Sequence, residues 1–334
     1  MTVLAGQAER FTSEHLSAIG HWAKFLVRRL IRFVVSLAVV AAGAFFVLHL
    51  AGGNPVRAAL GPTAPESIVR LRTRQLGLDD PLFTQFLRYL DGLVHGQLGS
   101  SFITGEAVST LVRYTVPNTL ALVGLALAVS LVLGVLFGLV LAIATHGTSG
   151  HLTETAFTGV TGFLAAVPEY LVAVALVVVF GLVWKVLPVA GDSGGSSFIL
   201  PVLALAAPST AFIARVARVE ALRVMSEDYV RAARAKRLPP RLVYLRHVLP
   251  NMLTGVFTLT GLSFATMIAS SVLVEDVFDW PGMGNQLVSA IGSQDYGVVQ
   301  GIALVYAAMI LVATFAVDAA IALLDPRTTL MEGG

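Results

Sequence analysis

The chain has no cysteine among its 334 residues, which excludes disulfides, thiol catalysis and cysteine-ligated zinc or iron-sulfur centres. Charge is scarce too: Asp, Glu, Lys and Arg make up 13% of the residues against 56% apolar types, with a mean hydropathy of +0.81. Water-soluble globular domains do not carry that balance. The three lysines follow Ala23, Trp184 and Ala235, so there is no Gly-Lys-Ser/Thr loop to cradle nucleotide phosphates. The seven histidines include no His-Glu-x-x-His pair, which leaves a zinc protease unsupported. With a net charge of +2 and basic residues that flank apolar runs, nucleic acid is not an indicated partner. These absences leave an integral membrane protein that contains no motor.

A hydrocarbon core about 30 Å thick needs about 20 apolar helical residues to cross it. Six runs qualify, at roughly 33 to 50, 119 to 144, 155 to 184, 198 to 219, 252 to 274 and 298 to 324. The third is long enough to tilt or bend, and Pro168 at its middle removes a backbone donor. The fourth carries Arg215 and Arg218 in its last turn, from which arginine can snorkel to the interface.

Fifteen of the 22 Lys and Arg residues fall on the cytoplasmic side if the N-terminus lies inside. Six of the other seven lie in one long segment between the first two spans, where the positive-inside rule has little force. The expected arrangement is an all-α, six-span protein with both termini inside. It divides into a polar extension at 1–23, a six-span domain at 24–328 and a tail at 329–334. The first span reads as an uncleaved anchor.

The cytoplasmic segment between spans four and five, VRAARAKRLPPRLVYLRHVLPN at 230–251, holds six Arg or Lys residues. Arg231-Ala232-Ala233, the step to Arg237, and Leu249-Pro250 beyond it reproduce a spaced pattern: E-A-A, three residues, G, nine residues, I-x-L-P. This resembles the coupling loop of ABC importer permeases. The strings Asp228-Tyr229-Val230-Arg231 and Arg246-His247-Val248-Leu249-Pro250-Asn251 are similar to the dipeptide, oligopeptide and nickel branch. Further matches are Leu76-Gly77-Leu78-Asp79, Gly96-Gln97-Leu98-Gly99-Ser100-Ser101, Trp280-Pro281-Gly282-Met283-Gly284, Asp295-Tyr296 and Asp325-Pro326-Arg327. The likeness is to the partner with the larger external loop.

The resemblance implies a type I importer permease in the bacterial cytoplasmic membrane. It also implies a second, unlike permease, two ATP-binding subunits that use Mg-ATP, an extracytoplasmic substrate-binding protein, and no cofactor bound by this chain. Its substrate would be a di- or oligopeptide; nickel chelates, haem or another solute stay open as alternatives, as does an ion-coupled secondary transporter. The residues implied in coupling, within a loop at 226–250, are Asp228, Tyr229, Arg231, Ala232, Ala233, Arg234, Arg237, Leu249 and Pro250. A helix over 226–237 broken by Pro239-Pro240, then a second short helix to Pro250, would make a compact lever. The other reading of this loop is a basic anchor that binds anionic lipid. Arg237 stands where the motif has its turn glycine, and a left-handed conformation there would cost a non-glycine residue roughly 1 to 2 kcal/mol.

Glu169, beside Pro168, and Asp318 are acids within apolar spans. For Glu169 the readings are a gate or a structural hydrogen bond; for Asp318, a pair with a cytoplasmic-side arginine. Ser263, Thr266 and Ser270 on span five are pathway candidates. In the external segment 54–118, Phe83, Phe86, Leu87, Leu90 and Val94 have helical spacing. Together with Glu275, Phe278, Trp280, Pro281 and Gly282 of the 275–297 loop, Phe83 is a candidate for receiving the binding protein; a structural cap is the other reading. Gly191-Asp192-Ser193-Gly194-Gly195 spells a serine-nucleophile signature. It lies in a short connection between helical spans, without the strand-to-helix elbow that such chemistry needs, and reads as a glycine-rich turn.

Overall fold

A computed structural model describes residues 27–47, 55–146, 151–191 and 194–324 of the chain. The extension at 1–23, Asp192, Ser193, Asp325-Pro326-Arg327 and the tail lie outside the described residues, as does the side chain of Asp318. By internal contacts the chain forms two units, 1–52 and 53–334. In the first, helix α1 (Val27–Val47) is long and apolar enough to cross a membrane.

The second unit begins with three short helices: α2 (Pro55–Leu60), α3 (Glu66–Gln75) and α4 (Leu82–Val94). Prolines at 65 and 81 precede α3 and α4 with φ near −57° and −53°, the geometry the pyrrolidine ring imposes at a helix start. The spacing in α4 does produce a helix, but Phe83, Leu87 and Val94 stay exposed, while Gln85 turns inward and donates to the carbonyls of Leu78 and Asp80.

Long helices α5 (Val108–Thr145), α8 (Ile199–Met225), α11 (Leu249–Val277) and α13 (Tyr296–Leu324) form the body, with α12 (Met283–Gly292) on the external side. Span three is broken: α6 (His151–Ala166) and the helix from Glu169 to Val183 meet at 96° across Val167-Pro168. The second part is α7 (Glu169–Leu176), which widens into a π-helical stretch over Val177–Val183. Proline at 168 has no N–H to continue the ladder, so the chain turns there. Counting each bent pair as one crossing gives six spans.

The most extensive contact is between α5 and α8. Gly134, Gly138 and Ala142 recur at four-residue steps and are buried, so they share one face of α5. Ala214, Ala217 and Ala221, at steps of three and four and buried, share one face of α8. A methyl group at Gly138 would lie 2.6 Å from the Ala214 carbonyl oxygen and 2.6 Å from the Ala217 Cβ. In a membrane, where lipid tails compete equally for apolar surface, such close backbone approach is a main source of helix association. The outer face of α5, with Val132, Leu136, Phe137 and Val140, is equally apolar yet exposed.

Candidate functional site

The coupling segment is built from α9 (Asp228–Ala235) and α10 (Pro240–Leu242), which runs on through a π-helical stretch over Val243–Val248 into α11. The second short helix therefore does not stop at Pro250 as expected. Pro250 lies where the π-helical stretch passes into α11, and the lever is continuous with span five.

The end of α9 is a Schellman turn. The Leu238 N–H donates to the Ala233 carbonyl at 3.4 Å and the Arg237 N–H to the Arg234 carbonyl at 2.9 Å. That pattern needs the residue at 237 in the left-handed region, and Arg237 has φ of +53°. The motif's glycine is explained by this geometry, and arginine holds it under strain.

The two faces of α9 differ in function. Val230 and Ala233 pack with Val224, Met225, Val243, Val248 and Met252, while Leu238 covers the edge. Arg234 is half-buried and its Nη1 lies 2.9 Å from Nε2 of His146, just past the end of α5. Asp228, Tyr229, Arg231, Ala232 and Arg237 are exposed, and so is Pro250; Leu249 is half-buried. Asp228 and Arg231 pair at 2.8 Å on the surface, an arrangement that adds little stability and leaves both charges accessible. The Tyr229 hydroxyl is pushed above its ordinary pKa by partial desolvation and by Glu227, against the opposite influence of Arg223, and so stays a neutral donor. Of the residues implied in coupling, Ala233 and Arg234 thus attach α9 to its own chain, and Ala232 is the small outward residue. A second tie joins Arg218 to Glu154 at 2.8 Å, bringing α8 and α6 together.

The external turn also requires correction. Trp280, Phe278, Glu275 and Gly282 are buried and offer no docking side chain in this structure; Pro281 and Phe83 remain exposed. The Trp280 ring meets Phe198 edge to face at 4.4 Å, and its indole N–H donates to the Asn118 carbonyl at 3.3 Å. Asn118 Nδ2 in turn donates to the Pro281 carbonyl at 2.8 Å, and the Met283 N–H to Thr119 Oγ1 at 2.9 Å. The Gly284 N–H donates to Glu275 at 2.6 Å, at a place where a Cβ would come within 2.5 Å of the Val272 Cα. This motif is a clamp between α5, α11 and α12. A second clamp joins Gly96-to-Ser101 to the start of α13: Ser101 Oγ and the Phe102 N–H both donate to Asp295.

A cleft of about 410 Å³ opens between α6, α8 and α11, lined in part by Ser209, Arg215, Ser263 and Thr266. Ser263 and Thr266 are thereby brought together; Ser270 is not in the lining and donates weakly to the Met267 carbonyl at 3.4 Å. Glu169 is half-buried at the first position of α7, directly after the 96° break. Arg215 is the residue that sequence reasoning assigned, with Arg218, only to snorkelling; an arginine roughly one and a half turns from Ser209 in an apolar run was the available signal.

Residues 134–330 match the family described as binding-protein-dependent transport system inner membrane component. Residues 22–123 match its N-terminal membrane component. A probable peptide ABC transporter permease of Sinorhizobium fredii is 33% identical, with 91% of this chain and 98% of that protein covered. The glutathione transport system permease of Escherichia coli K12 is 31% identical over 90% of this chain and 97% of its own length. Among solved structures, an inward facing MetNI methionine ABC transporter chain aligns with a TM-score of 0.53 at 18% identity, covering 64% of this chain and 96% of that one, a likeness of fold.

Proposed function

The chain belongs to the family of binding-protein-dependent transport system inner membrane components, and from that premise we propose which solute it passes and how its parts divide the work. It is a multi-pass translocation subunit of an ABC importer in the bacterial inner membrane, without catalytic activity of its own, served by ATPase subunits and a substrate-binding protein. The alternative of an ion-gradient carrier is set aside, since this family draws on partner ATPases.

The proposed cargo is a short peptide. Relatives named for peptide and glutathione transport, each covered almost end to end, support this reading. We further assign the second half of the pathway to an unlike permease, and Mg-ATP to the partner subunits. The observation that carries the mechanism is the two-sided α9. Its inner face packs against the roots of α8 and α11 and the π-helical stretch before α11, while Asp228, Tyr229, Arg231, Ala232 and Arg237 stand outward. A motor groove that grips this outer face would move α10 and α11 up to Gly261 as one piece, because Pro240–Gly261 runs without a break; a 48° bend follows before Ser263. Glu169, next to the hinge in span three, is the proposed gate residue. Phe83 and Pro281 are the members of the proposed docking set that remain exposed.

Reconstitution of the complete importer in proteoliposomes, with its binding protein outside and ATP inside, tests the reading. Peptides bound by the purified binding protein should accumulate in the lumen only with hydrolysable ATP. Accumulation of bound non-peptide solutes, with none of any di-, tri- or oligopeptide, would refute the cargo assignment.

A further inference from the structure

The cleft between α6, α8 and α11 contains a cation, Arg215, that no described residue neutralises. Arg215 lies ten residues before Met225, about 15 Å above the cytoplasmic end of α8 at 1.5 Å per residue. That places it in the cytoplasmic half of α8. Its neighbour Arg218, one turn below, is matched by Glu154 at 2.8 Å, and Arg223 by Glu220 at 2.9 Å. Among the described residues Arg215 makes no hydrogen bond and no ion pair. A guanidinium at that depth needs water or an anion beside it.

The hydroxyls around it are differently occupied. Thr266 spends its proton on the Ser263 carbonyl at 2.9 Å. Ser209 and Ser263 have no such bond among the described residues, so both keep a proton to donate into the cleft. Pro208 and Phe212 supply apolar wall on the same helix as Ser209 and Arg215. A planar, always-charged fork flanked by free hydroxyl donors has the chemistry that receives a carboxylate.

We propose that this cleft is an anion-binding station on the translocation route, with Arg215 as its cation and Ser209 and Ser263 as donors. Its ligand is the terminal carboxylate of the solute in passage. The anion site stands on the geometry alone; the identity of the ligand rests on the peptide-transport reading above.

The absence of native cysteine makes a direct test possible, because Thr266→Cys gives this chain a single thiol that belongs to neither donor. The complete importer, in membranes accessible from both faces, is treated with an anionic sulfonatoethyl or a cationic trimethylammonioethyl methanethiosulfonate. Labelling of this chain is read by mass and normalised to a free thiol in solution. An unpaired unit charge nearby should favour the anionic reagent by about tenfold or more. Arg215→Gln in the same background should bring the two rates together, and Arg215→Lys should restore the preference. Equal rates before Arg215 is changed, as a carboxylate from a neighbouring subunit would produce, overturn the site. So does an unchanged preference after Arg215→Gln, or no labelling by either reagent.

The second arm compares uptake of a tripeptide with that of its C-terminal amide, each divided by its affinity for the binding protein. Arg215→Gln should lower uptake of the acid about tenfold and spare the amide. Equal losses would mean that Arg215 holds a lipid phosphate, and would overturn the solute assignment. If the unmodified importer takes up neither peptide, the cargo reading fails, while the labelling ratio still decides the anion site.

Discussion

Replacing Gly138 by alanine adds one methyl group at the closest point between α5 and α8. The added carbon would sit 2.6 Å from the Ala214 carbonyl oxygen, 2.6 Å from the Ala217 Cβ and 2.8 Å from the Arg218 nitrogen, where ordinary contact begins at 3.4 Å. The helices must therefore part by about 0.8 Å along that line. Two of the three obstructing atoms are backbone, so no rotamer change relieves the clash. Overpacking of this kind costs about 1 to 3 kcal/mol. Against it stands the gain from replacing a mid-helix glycine, about 1 kcal/mol. Gly124 on the same helix isolates that gain, because nothing lies within 4 Å of a Cβ there. Gly138→Ala should thus be about 1 to 3 kcal/mol less stable than Gly124→Ala. The assay is thermal unfolding of the detergent-solubilised importer, where each kcal/mol moves the midpoint by about 1 to 2 °C for a chain of this size. Separation of α5 from α8 also shifts Arg218 relative to Glu154 and Thr145, so ATP-coupled uptake should fall with stability. Equal midpoints for the two variants would refute the argument that this face, and not general apolarity, holds the pair together.

Further outcomes follow from the same structure. Ala232→Asp should abolish recovery of ATPase subunits at unchanged thermal stability, whereas Ala233→Asp should also lower the unfolding midpoint, because it puts a charge among Val230, Val243 and Val248; matching midpoints would contradict the two-faced helix. Arg237→Gly should raise stability by about 1 kcal/mol by relieving the left-handed strain, with the largest gain in amide-exchange protection at 233–238; lower protection there would contradict the turn assignment. Trp280→Ala should cost about 3 to 5 kcal/mol and reduce basal and stimulated ATPase rates in proportion, since the ring is buried against Phe198; selective loss of stimulation would restore Trp280 to the docking surface.

The sequence by itself determined the class, the spans and the place of the coupling loop, because each rests on information that is local along the chain. A run of about 20 apolar residues has one stable outcome in a bilayer, a helix, whatever surrounds it. Proline at 168 removes a backbone donor, and the 96° bend falls there, whereas α5 and α8 run on through Pro117 and Pro208. The departure at Arg237 could be weighed in advance because the left-handed cap is a property of a single residue.

Which side each residue faces was decided only by the tertiary structure. Val135 and Leu139 are buried while Leu136, Phe137 and Val140 are exposed, yet all five are apolar, since lipid and protein interior select the same side chains. Hydropathy patterning, which separates inside from outside in water, loses its contrast here. The inward turn of Ala233 and the burial of Trp280 lie outside the spans and were hidden because the surfaces that cover them come from other helices. The two external clamps were invisible for another reason: Ser101 and Asp295 are 194 residues apart, and Trp280 and Asn118 are 162 apart, so only the fold brings them to one place. Arg215 combines both effects. Its charge was plain in the sequence, but the lack of a partner among the described residues became apparent only when α6, α8 and α11 formed the cleft around it.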